Sequence, residues 1–64
     1  MSRVGVLLQA AGRRLADAGV EGAAREARLL LQAAAGLSIA AQVADPELTV
    51  DAAAAERFQA LVSR

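Results

Sequence analysis

The sequence predicts an all-α fold: a small bundle of four helices, one of them short, joined by tight Gly- and Pro-containing turns. Three observations carry that expectation. Apolar residues recur at helical spacing between Val4 and Ala18, between Ala23 and Ala34, and between Val50 and Val62. Gly19, Gly36 and Pro46 stand where helical runs stop. Nothing in the chain reads as a strand, because no run of alternating apolar and polar residues is bounded by turn chemistry.

The first helix is predicted over Arg3 to Ala18. Val4, Leu7, Leu8, Ala11, Leu15 and Ala18 fall within one arc of about 100°, the width of a core-facing stripe, and Gln9, Arg13 and Asp17 take the opposite face. Gly5 and Gly12 lie on one flank beside Ala16, where each costs roughly 0.5–1 kcal/mol relative to alanine. Their spacing predicts another helix approaching closely along that flank, with a functional hinge as the alternative. Gly19 then ends the helix as a left-handed residue, and Val20 folds back onto Leu15.

The second helix is predicted over Ala23 to Ala35. Ala23, Ala24, Ala27, Leu30, Leu31 and Ala34 form its apolar arc, and Arg25, Arg28 and Gln32 a polar stripe. Its run Leu29-Leu30-Leu31 is the most informative stretch of the chain. Successive helical residues point about 100° apart, so three consecutive leucines cannot share one face. Leu30 and Leu31 are assigned to the core, and Leu29 falls near the polar side. Two readings stay open: this helix is central and covered around most of its girth, or Leu29 marks a docking surface. Gly36 stops the helix as Gly19 stops the first, with Leu37 packing on Leu31.

Ser38 is placed to cap a short third helix, Ile39 to Ala44. Asp45-Pro46-Glu47 ends it, since proline disfavours helical backbone in the residue before it and lacks an amide N–H. Leu48 is expected to plug the core from this turn. Thr49 is expected to cap the last helix, Val50 to Ser63, with Asp51 in its first turn favouring the helix dipole. Val50, Ala54, Phe58, Leu61 and Val62 make its apolar face, and Ala52, Glu56, Gln59 and Ser63 its solvent face.

Composition limits function. Sixty-four residues make one small domain, which buries only about 60% of its unfolded surface and needs regular packing or a partner. Cysteine, histidine and lysine are all absent, which removes disulfides, the usual zinc sites and the usual bases for an activated serine. No glycine-rich loop follows a strand, so no nucleotide fingerprint is present. Glu21, Glu26 and Glu56 read as solvated helix residues, and the chain alone is not expected to be an enzyme: no catalytic, cofactor-binding or metal residue is assigned. The formal net charge is zero and Phe58 is the single aromatic residue, so nucleic acid is not an expected partner. The most apolar run, Ala33 to Ala41, is far shorter than the 18 or so residues of a membrane span. Gln9 breaks the apolar start of the chain, and Arg13-Arg14 follow where a leader's cleavage region would stand. A cytoplasmic monomer is expected.

The order of these features resembles the N-terminal domain of the bacterial peptide chain release factor glutamine methyltransferases. Those proteins begin with an amphipathic helix. A second helix carries an acidic residue, an alanine, a charged residue and a leucine run, here Glu26-Ala27-Arg28-Leu29-Leu30-Leu31. A small-residue stretch ends in a Gly-Leu-Ser turn, here Gly36-Leu37-Ser38. After a short helix come a proline turn and a leucine, here Pro46 and Leu48-Thr49. A last helix follows with Phe58, Leu61 and a closing Arg64. The match covers essentially the whole chain in order and spacing. One departure is Gly22, where that family more often opens the helix with Ser-Pro.

The resemblance implies that residues 1–64 are a release-factor-recognition domain whose catalytic domain is absent from this chain. In that family the helical domain precedes a Rossmann-like domain that binds S-adenosylmethionine and carries Asn-Pro-Pro-Tyr. The enzyme methylates the glutamine of the Gly-Gly-Gln motif in class I release factors. The implied partners are therefore the release factor and the catalytic domain, and no catalytic residue carries over to this sequence. An alternative from another class is a stand-alone helical interaction or self-assembly module, motivated by small size, alanine-rich faces and Leu29. A carrier-protein domain fits less well, because Ser38 follows Leu37 where a carrier has Asp-Ser-Leu, and those domains are acidic.

Overall fold

Helical spacing becomes four helices in the computed structural model, which describes residues 1–63. Arg64, the closing arginine of the resemblance, lies outside the described residues. The elements run β1 (Ser2–Arg3), α1 (Val4–Asp17), α2 (Ala23–Ala35), α3 (Ile39–Ala44), β2 (Thr49–Val50) and α4 (Ala52–Val62).

Helix α2 lies at the centre, packed against α1 on one side and α4 on another, with α3 against it as well. Each long helix buries one stripe: Val4, Leu7 and Ala11 from α1, Ala27, Leu31 and Ala34 from α2, Ala54, Phe58 and Val62 from α4. The spacings within each set, three or four residues, keep the stripe on one face. Alanine at four of these nine positions lets the helix backbones approach closely. Phe58 and Leu31 are the two largest of the fully buried side chains. Val50 completes the core, and Leu8, Leu15, Leu30, Leu37, Leu48 and Leu61 pack around it half-buried. The predicted arcs run slightly long, since Ala18 and Ala24 are exposed.

The helix ends follow local chemistry. At Gly19 (φ +85°) the Val20 amide donates to the Leu15 carbonyl at 2.9 Å and the Gly19 amide to Ala16 at 3.0 Å, the paired bonds of a Schellman ending. Gly36 (φ +71°) closes α2 with a single bond, its amide to the Gln32 carbonyl at 2.9 Å. Ser38 Oγ accepts from the Ala41 amide at 3.1 Å and opens α3 as expected. Pro46 holds Asp45 in extended backbone (φ −142°, ψ 83°), which stops α3. The Asp45 carboxylate then accepts from the Glu47 amide and its carbonyl from the Leu48 amide, folding a tight turn.

Three expectations need correction. The cap of α4 is Asp51, not Thr49: Asp51 Oδ1 accepts from the Ala54 amide at 2.8 Å, and the helix starts at Ala52. Asp51 reaches the third following amide, as an N-cap does. Thr49 is drawn into a strand instead. A strand pair, unexpected from sequence, joins Ser2 to Val50 and Arg3 to Thr49 in antiparallel register. Its cause is the start of α1, whose first amides have no acceptor inside the helix and where Arg3 provides no side-chain cap. The Val4 amide donates to the Leu48 carbonyl at 2.8 Å and the Gly5 amide to the Pro46 carbonyl at 2.9 Å. Lastly, among the described residues neither Gly5 nor Gly12 has another helix within close reach. A Cβ on Gly5 would meet the Pro46 carbonyl oxygen at 3.2 Å and Pro46 Cβ at 3.3 Å, whereas one on Gly12 meets nothing within 4 Å.

Two stability predictions follow from this packing. Leu31→Ala is expected to cost roughly 2–5 kcal/mol and Leu29→Ala less than about 1 kcal/mol, with Leu30→Ala between them; thermal melts of the three variants check the order. A Leu29→Ala loss as large as that of Leu30→Ala would mean that α2 is covered all round. Gly12→Ala, in a helix interior facing open space, should stabilise by roughly 0.5–1 kcal/mol. Gly5→Ala should gain less or lose, because Pro46 has to retreat; equal gains at both sites would remove the turn contact as a constraint.

Candidate functional site

Reactive side chains are scattered. Glu26 and Glu56 are exposed helix residues, as expected, whereas Glu21, also exposed, lies in the turn before α2 and not in a helix. Among the described residues no three His, Cys, Asp or Glu side chains gather to hold a metal ion. No helix of these residues is long and apolar enough to cross a membrane. Arg3 Nε lies 3.5 Å from Glu47 Oε2, with both side chains more than half exposed. Such a surface pair is worth about 0–1 kcal/mol, and its main effect is to lie across the strand pair and the proline turn. Ser38 spends its hydroxyl on the α3 cap.

The leucine run divides as its angular spacing requires. Leu31 is fully buried, Leu30 packs half-buried against the core, and Leu29 is 38% exposed. Leu29 stands with the exposed Arg25 and Gln32 on the outer side of α2. Coverage of α2 on every side is therefore not what the fold provides. Val6 and Val43 are further apolar side chains in the open, each more than half exposed.

Two clefts flank α2. One, of about 360 Å³, lies between α1, α2, α3 and the proline turn, with Gly5, Leu8, Arg28, Gln42, Val43 and Pro46 among its walls. The other, of about 250 Å³, lies where the end of α2 meets β2 and the start of α4, and includes Leu37, Leu48, Asp51 and Arg57. Arg57 Nε donates to the Ala34 carbonyl at 3.0 Å. That carbonyl belongs to the last turn of α2, which has no acceptor-satisfying amide further along, and a cation there also favours the helix dipole. The second cleft is thus largely accounted for by a structural tie between α4 and α2.

Gln42 and Arg57 are the polar residues that sequence reasoning missed. Gln42 is buried to 1% exposure, and its amide Nε2 donates to the Arg28 carbonyl at 3.1 Å and the Leu37 carbonyl at 3.0 Å. The available signal was its position three residues after Ile39, on the face of α3 that meets α2. Arg57 falls between the predicted apolar and solvent faces of α4, and nothing local marks it as a cap for another helix.

A family model described as the PrmC N-terminal domain matches residues 6–64, nearly the whole chain. No curated protein and no solved structure matches it significantly. With the four-helix architecture in place, the match makes the chain a member of the PrmC N-terminal domain family, that of the N-terminal domain of release factor glutamine methyltransferases.

Proposed function

We propose that this domain recognises and positions a class I release factor for a methyltransferase that uses S-adenosylmethionine to modify the glutamine of the Gly-Gly-Gln motif. The family match over residues 6–64 carries the reading. The methyl transfer itself belongs to a catalytic domain, and this chain contributes surface. Leu29 is the residue through which that surface engages a partner: it is an exposed leucine on the central helix, flanked by the polar Arg25 and Gln32. An apolar contact rimmed by polar groups is the arrangement of a protein interface. In this reading the domain works in the cytoplasm, as a monomer, with the release factor and the catalytic domain as partners.

The test is calorimetry and methylation kinetics on the two-domain enzyme, with and without this domain, against purified release factor. Removal is expected to weaken affinity and lower kcat/KM. Leu29→Glu is expected to weaken binding roughly tenfold, the loss of a single well-packed contact, with the melting temperature little changed. If removal of the domain leaves both affinity and methylation rate intact, the recognition role is wrong. If Leu29→Glu alone is silent, recognition lies on another face.

A further inference from the structure

We draw no further inference here: the strongest candidate, the mostly apolar cleft between α1, α2, α3 and the proline turn with the exposed Val43 in its wall, is an unpartnered face, and nothing in the structure shows what covers it.

Discussion

The start of α1 is held by another part of the chain, and much of the architecture depends on that. An α-helix leaves its first amides without internal acceptors, and here the residue before the helix, Arg3, offers no side-chain cap. The Leu48 and Pro46 carbonyls accept from Val4 and Gly5 instead. Those two bonds dock the α3–α4 connection onto the amino end of α1. They also align Ser2 and Arg3 with Val50 and Thr49 for a strand pair that neither partner would form alone. The approach leaves little room at position 5, where a Cβ would stand 3.2 Å from the Pro46 carbonyl oxygen, and Gly5 has none. In a domain where four of the nine buried apolar helix positions are alanine, apolar area gives contact but little register. Directional backbone bonds between distant segments supply the register.

What was legible in the sequence was what is decided locally. Gly19 and Gly36 adopt left-handed backbone, Ser38 caps the helix it precedes, and Pro46 stops α3, because each acts within four residues of itself. The helical stripes were legible for the same reason. The misreadings all involve partners far along the chain. Thr49 was a reasonable cap until strand pairing with Arg3 claimed it, and Asp51 then took the role two residues later. Gly5 and Gly12 look alike in sequence, yet only one of them faces Pro46. The second left-handed glycine before α2, Gly22 (φ +64°), shows a local departure with a physical effect. It turns the chain into the helix by backbone conformation, with no side-chain cap.

Candidate binding residues were less legible than the fold. Angular spacing alone places Leu29 away from Leu31, but not whether a neighbouring helix covers it; exposure settles that point and leaves the partner to experiment. Gln42 sits in a six-residue helix too short for a reliable apolar stripe. Its burial follows from α3 lying against α2, a tertiary fact. Arg57 is similar: its guanidinium ends a helix 23 residues earlier in the chain. Polar residues that serve another element's backbone carry at most a weak mark in their own neighbourhood, as Gln42 does in its spacing from Ile39.

These exceptions share a consequence. A domain of this size has a stability of only about 3–5 kcal/mol from a single core. An acceptor left buried and unpaired costs about 1–3 kcal/mol, and an exposed leucine forgoes part of the 1.5–3 kcal/mol that its burial would contribute. Leu29, 38% exposed, forgoes only a minor part of that contribution, and Gln42 makes two hydrogen bonds through Nε2; both lie on or against α2, against which α1, α3 and α4 pack. Folding explains why Leu31 and Ala27 are as they are, since a larger or polar residue at either would force the helices apart. Single apolar side chains at the surface are ordinary in folded proteins, so Leu29 acquires a role only through the partner proposed for it, whereas Gln42 is explained by the two carbonyls it ties together.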